Sequence, residues 1–378
     1  MEETRQELYR SLEAEIGNTP LYKIQRIGIP NGNQVFVKEE NENPGGSHYD
    51  RVFIKLFRHY EEYGKIKPGY TPVVETTSGS AGVSFARLGR LLGYECLVIC
   101  PEDLPESRLR LIREQGAQIR TSPPGRYVDG SADELREIFL VENKERKVQG
   151  KVPYFGLNHT QKESAVIAAE SVEKVIDEVI EQGKEHGVKF DLVVAAAGNG
   201  TTALGFGRVA RRYGLQFVVW EPLGCGVYYD KKFGEGSHQR DFGIKPGELG
   251  YHKIYGVHFK KTPYELPNID KAFEEDLVKD VVVIVDSDIR SRALKRIASA
   301  SLLDIGIFGL TDDIFRQRFS VQRLPSWENS SHLLMCLEGK SVGRSSAGNI
   351  AAVLDLIERQ RIKDANILTF FYDDLSRY

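Results

Sequence analysis

The chain has 378 residues, 41% hydrophobic and 28% charged, with a formal net charge of −3. That length supplies apolar material for about two domains, and scattered Lys and Arg without a basic stripe exclude an electrostatic nucleic-acid footprint. The polar start "MEETRQELYR" argues against a secretory signal, and no apolar run is long enough to cross a bilayer.

Short β-branched runs alternate with helical patterns along the chain. "QVFVKEE" predicts a strand, and a helix follows from about Asp50. "TPVVETTSGS" predicts a strand and loop, then the helix "GVSFARLGRLLGY". The strand "ECLVICP" precedes the helix "PESRLRLIREQGA" and the short strand "QIRTS". A helix near 132–144, a strand in "VPYFGLN" and a long helix over 161–183 come next. "FDLVVAAAGNG", the helix "ALGFGRVARRYG" and the strand "QFVVWEP" continue the alternation. This order predicts an α/β fold with parallel-rich sheets flanked by helices, the chain passing from a smaller sheet to a larger one near residue 150. Cys96 and Cys100 fall in a buried strand rather than a metal pair, no metal is expected, and four unevenly spaced cysteines fit a reduced cytoplasm.

Three strand-to-helix turns carry chemistry. In "LVVAAAGNGTTALGFGR", Gly198, Asn199, Gly200, Thr201 and Thr202 lie between a buried strand and a helix start. Glycines let backbone N–H groups approach an anion, and the helix dipole and threonine hydroxyls add to the attraction. The segment reads as a phosphate cup, or else as a glycine-rich turn with no ligand. In "ETTSGSAGVSFA", the hydroxyls of Thr76, Thr77, Ser78 and Ser80 gather at a helix start, where a carboxylate or ordinary capping would serve. "EGKSVGRSSAGNIAAVL" is a Ser/Gly turn entering an Ala-rich helix.

In order, "IGNTPLYKI" (16–24), "NPGGSHYDR" (43–51), "TSGSAG" (77–82), "CPEDLPESRLRLIREQGAQI" (100–119), "GNGTT" (198–202), "HKIYGV" (252–257) and "SSAGN" (345–349) form one series. It resembles the pyridoxal-phosphate-dependent fold type II family, nearest to cysteine synthase and cystathionine β-synthase, over about residues 16–358. The resemblance implies two domains, a small mobile one over 46–150 and a large cofactor-binding one over 1–45 and 151–378. It implies β-elimination or β-replacement on serine, cysteine or an activated serine, with small amino acids as ligands. A cytoplasmic homodimer is expected, and the charge and hydropathy readings above predict neither a nucleic-acid nor a membrane partner. Gly198, Asn199, Gly200, Thr201 and Thr202 would grip the phosphate of pyridoxal 5'-phosphate, and Ser346 would meet its ring nitrogen. Ser80 stands where an asparagine would contact the ring hydroxyl, while Thr77, Ser78, Gly79 and Ala81 would bind the substrate carboxylate.

The departures cluster at the cofactor. Tyr49 stands where the resemblance implies the Schiff-base lysine, which also shuttles the substrate proton. A phenol forms no Schiff base, and with an ordinary pKa of about 10 it is a poor base at neutral pH. Lys55, six residues on, faces about 120° away and about 9 Å along the helix. His48 adjoins the site, with packing as its default role. "FGLNHTQKES" (155–164) lacks the family's substrate-contacting pattern, and 301–335, with Trp327, reads as an insertion forming core, lid or subunit contact. Three readings stay open: a protein holding the cofactor, or its Schiff base with a substrate, without a lysine bond; an inactive relative acting as amino-acid sensor or protein partner; and a tyrosine introduced into an ordinary lysine enzyme.

Overall fold

The computed structural model describes residues 2–77, 79–102, 104–124, 126–196, 198–250, 254, 257, 266–304, 312–374 and 376. The strands are β1 Leu21–Lys23, β2 Gln34–Glu39, β3 Val73–Thr76, β4 Cys96–Pro101, β5 Gln118–Ser122, β6 Phe155–Gly156, β7 Leu192–Ala196, β8 Gln216–Pro222, β9 Asp280–Ile284 and β10 Asn366–Phe371. The chain divides into two compact units, Met1–Pro20 with Glu39–Glu178 and Tyr372–Tyr378, and Leu21–Lys38 with Val179–Phe371.

The first unit holds a four-stranded sheet in the order β5-β4-β3-β6, parallel throughout. All six residues of β4, "CLVICP", are buried, as expected of a parallel strand covered on both faces. Cys96 and Cys100 are packing residues of that strand. The helix Tyr49–Glu62 buries Val52, Phe53, Leu56, Phe57 and Tyr60, an apolar set at helical spacing. Phe53 and Phe57 meet Phe85 of the helix Ser80–Leu91 at ring distances of 5.5 and 5.8 Å. Elsewhere, Leu135, Ile138 and Phe139 pack with Val74, Leu97 and Ile99.

Two local expectations change. The helix near 132–144 is longer and uneven, running through Tyr127–Glu137, a π-helical turn Ile138–Glu142 and Asn143–Val148. The "VPYFGLN" strand shrinks to two residues, and Asn158, at φ 46°, turns the chain just beyond them. Asparagine tolerates that left-handed conformation better than most residues do.

A buried ion-pair network holds the segment before Tyr49. Arg51 donates from Nε to Glu40 at 2.8 Å and from Nη1 to Glu178 at 2.6 Å. Glu40 also accepts from Thr19 Oγ1 at 2.8 Å and Asn43 Nδ2 at 2.9 Å. The Asp50 carboxylate accepts from the backbone N–H of Gly45. The turn 43–48 is therefore tied at both ends, which fixes the direction in which the next helix starts.

The second unit holds a six-stranded sheet in the order β1-β2-β10-β7-β8-β9. β1 and β2 pair antiparallel, while β10, β7, β8 and β9 run parallel. Phe206 and Phe370 pack ring to ring at 4.4 Å, tilted by 32°, and Trp220 is fully buried. Of the segment 301–335, residues 305–311 lie outside the described residues. Within the rest, Val321 is fully buried in a cluster with Phe242, Ile289, Ala293 and Ile297, so this part of the segment contributes core.

Candidate cofactor site

In the second unit, β7 ends at Ala196 and the helix Thr201–Arg212 begins five residues on. Between them Gly200 adopts φ +94°, a conformation glycine takes without strain. A Cβ there would lie 2.5 Å from the backbone nitrogen of Ile269, so packing against 268–269 requires this glycine whatever the loop binds. The N–H of Thr201 donates to Asn199 Oδ1 at 3.0 Å, which spends one of the donors expected to face an anion. The Gly198 carbonyl accepts from Tyr228 Oη at 3.1 Å. What the loop leaves open is the Thr201 hydroxyl, which is buried and has no hydrogen-bond partner. Buried hydroxyls are nearly always satisfied. This one sits at the start of a 12-residue helix, where the first N–H groups lack intrahelical acceptors. Thr202, the next residue, is half-buried. This set fits a phosphate group.

Ser346 lies in the first turn of the helix Arg344–Gln360 and is fully buried. Its helix is anchored by Trp220, whose Nε1 donates to Asn349 Oδ1 at 2.7 Å, while Asn349 Nδ2 donates to the Phe370 carbonyl at 2.6 Å. Gly348 makes this possible, because a Cβ there would stand 2.5 Å from the Trp220 ring. Of the "HKIYGV" segment, only Ile254 and Val257 lie within the described residues, and both are buried.

In the first unit, half-buried Tyr49 opens its helix amid aromatic rings: His48 at 4.3 Å, His159 at 5.5 Å and Phe53 at 6.4 Å. Its hydroxyl makes no hydrogen bond among the described residues. Burial pushes the phenol's pKa up to about 12, and the charges of Asp373 and Glu75 add to this against the opposing Arg108. Tyr49 is thus a neutral phenol at physiological pH. His48 is buried, its Nδ1 has no hydrogen-bond partner, and burial lowers its pKa to about 4. Lys55 is half-buried, with its side chain 43% exposed and its Nζ 3.4 Å from Glu170.

Loop 77–81 begins the helix Ser80–Leu91. Thr77 Oγ1 accepts from the Gly79 N–H at 3.0 Å. Ser80 Oγ donates to Asp373 Oδ2 at 2.8 Å. Ala81 is buried, and Ser78 lies outside the described residues. Thr77, Gly79, Ser80 and Ala81 therefore form one locus with Arg108 and Asp373. Sequence reasoning missed Glu75, Arg108, His159 and Asp373 as neighbours of Tyr49. Glu75, Arg108 and His159 lie in segments the sequence marked, "ETTSGSAGVSFA", "PESRLR" and "FGLNHTQKES", whereas Asp373 had no such signal. Among the described residues no group of His, Cys, Asp or Glu could hold a metal ion, and no helix is long and apolar enough to cross a membrane.

An α/β fold of two helix-flanked, parallel-rich sheets with such a strand–Gly–Thr–helix turn defines the class. A profile of the family "Pyridoxal-phosphate dependent enzyme" matches residues 12–301, and the chain belongs to that family. The match ends before Ser346. Cysteine synthase B of Escherichia coli (strain K12) is 37% identical over 128 residues, 34% of this chain and 42% of that protein. The matched segment thus spans less than half of that relative. A probable cysteine synthase of Bacillus subtilis (strain 168) is 26% identical over 292 residues, 76% of this chain and 82% of that protein. Among solved structures, O-acetylserine dependent cystathionine beta-synthase from Helicobacter pylori superposes with a TM-score of 0.68 at 21% identity, covering 97% and 96% of the two chains. O-ureido-L-serine synthase gives 0.69 at 20% identity, covering 97% and 92%. At such identities the superpositions establish the fold alone.

Proposed function

We propose that this chain binds pyridoxal 5'-phosphate without a lysine bond and acts on serine- or cysteine-type amino acids, within the cysteine synthase-like group. Tyr49 takes the position that the sequence resemblance gives to the Schiff-base lysine. The observation that carries cofactor binding is the buried, partnerless hydroxyl of Thr201 at a helix start. Thr201 and Thr202, with the helix N-terminus, would hold the phosphate, Gly198, Asn199 and Gly200 would shape the loop, and Ser346 would face the ring nitrogen. Bound there, the cofactor would supply an electron-withdrawing ring for chemistry at the substrate's α- and β-carbons. Thr77, Ser78, Gly79 and Ala81 would orient the amino-acid carboxylate.

A proton at the substrate's α-carbon needs an acceptor near neutral pH. Tyr49, raised to about 12, holds its own proton, and His48, lowered to about 4, is a weak base. Positioned acid–base groups are commonly worth about 10²–10⁴ in rate. Binding is therefore expected to outlast turnover. A sensor or partner role is the second reading, and the same two residues favour it. A homodimer, a cytoplasmic location and a mobile 46–150 domain belong to the same proposal. The test is calorimetric titration of the cofactor into the unmodified chain, followed by assay of β-elimination from L-serine and L-cysteine. Cofactor binding with very slow turnover supports the first reading, and absence of binding refutes it.

A further inference from the structure

Tyr228 reaches the 198–202 loop from within the second unit. It belongs to the helix Val227–Phe233 and is fully buried. Its Oη donates to the Gly198 carbonyl at 3.1 Å. Two contacts hold the tyrosine itself in place. The Glu221 carboxylate, also fully buried, accepts from the N–H groups of Tyr228 at 3.1 Å and Tyr229 at 2.7 Å. The Tyr228 ring lies 5.9 Å from that of Phe273, on the helix Pro267–Glu274 whose backbone at 268–269 packs against Gly200. The loop is thus gripped at Gly198 by a hydroxyl and at Gly200 by backbone.

The carbonyl and the N–H of a trans peptide point in opposite directions, and no peptide among the described residues is cis. With its carbonyl turned to Tyr228, the 198–199 peptide sends the Asn199 N–H the other way. That N–H meets no acceptor among the described residues. Glycine at 198 makes the reverse orientation cheap, and a flipped peptide would offer an anion a carbonyl oxygen in place of a donor. We propose that Tyr228 is a positioning residue for anion binding at 198–202: its hydroxyl holds the Gly198 carbonyl off the anion and turns the Asn199 N–H toward it. This rests on the reading of 198–202 as a phosphate loop and adds the side chain that sets which way the loop's peptide faces. Glu221 acts one step further back, by fixing the helix start that carries Tyr228. The ligand class is phosphate monoesters.

Tyr228→Phe removes the hydroxyl and keeps the ring. By calorimetry this variant should bind pyridoxal 5'-phosphate about tenfold more weakly than the unmodified chain. The phosphorus NMR resonance of the bound cofactor should also move, which a loss of stability alone would not cause. Equal affinity, or weaker affinity with the resonance unmoved, overturns the proposal. Thr201→Val, weakening binding in the same assay, would show that the phosphate loop still stands. If the unmodified chain binds no pyridoxal phosphate, the loop reading fails and takes the proposal with it. A second measurement needs no variant. In asparagine-labelled unmodified protein, the Asn199 amide proton should shift downfield as the cofactor saturates the site, because it gains a charge-assisted hydrogen bond. An Asn199 amide that stays in place while the cofactor binds overturns the proposal.

Discussion

The ring of Tyr49 meets that of His159 edge-on at 5.5 Å, and the Glu75 carboxylate stands 3.3 Å from His159 Nδ1. With Asp373 as a second carboxylate acting on Tyr49, the field at residue 49 is negative despite Arg108. Such a field favours a neutral phenol over a phenolate, and it would favour an ammonium still more.

Tyr49→Lys is therefore expected to be tolerated and to gain a borohydride-reducible bond to pyridoxal 5'-phosphate. Peptide mass spectrometry should map the pyridoxyl group to residue 49. A folded variant that binds the cofactor yet yields no adduct would contradict the role proposed for this position.

Thr201→Val separates ligand binding from fold. Removing a buried hydroxyl that has no partner should leave stability unchanged or raise it by about 1 kcal/mol, because its desolvation is uncompensated. Affinity for pyridoxal phosphate should fall about tenfold, or about 1.4 kcal/mol. Urea denaturation and calorimetry measure the two effects. Unchanged affinity would reduce the loop to a structural turn.

How much of this could be read from the sequence depends on range. The β7 turn and the serine turn are local, and glycines and hydroxyls next to apolar runs mark them directly. Tyr49 stood out because its flanking motif was legible. Asp373 did not, because it lies far along the chain from Tyr49 and no local pattern marks it. The π-helical turn at Ile138–Glu142 was equally hidden, since its apolar residues fit an ordinary helix just as well. Gly200 was legible as a loop glycine, but not as the glycine that packing against Asn268 and Ile269 demands.

Arg51→Met should be severely destabilising. It removes the ion pair from Arg51 to Glu40, 0% exposed, and breaking a buried pair this way costs about 3–5 kcal/mol. Chemical denaturation should register the loss, and a change below about 1 kcal/mol would show that the network contributes little.

Two buried groups set opposite pH slopes. Folding lowers His48 from 6.5 to about 4, so the unfolded chain binds the extra proton, and this contribution to stability is lost as pH falls from 6.5 toward 4. Glu221, fully buried, rises from 4.5 to about 7, chiefly through burial. Here the folded chain holds the proton, and stability is lost as pH rises from 4.5 toward 7. Glu221→Gln should remove the loss at rising pH, and His48→Phe the loss at falling pH. Melting temperatures between about pH 4.5 and 7.5 measure both, and profiles that match the unmodified chain would contradict the assignment.

Cofactor retention without a lysine bond is tested most directly by mass spectrometry of the unmodified chain mixed with pyridoxal 5'-phosphate. Spectra would be taken under native conditions, and again after borohydride treatment and denaturation. We expect one cofactor per chain in the native spectrum and the bare chain mass after reduction and denaturation. A native spectrum without cofactor, or a pyridoxyl group that survives denaturation on any lysine, would contradict the claim.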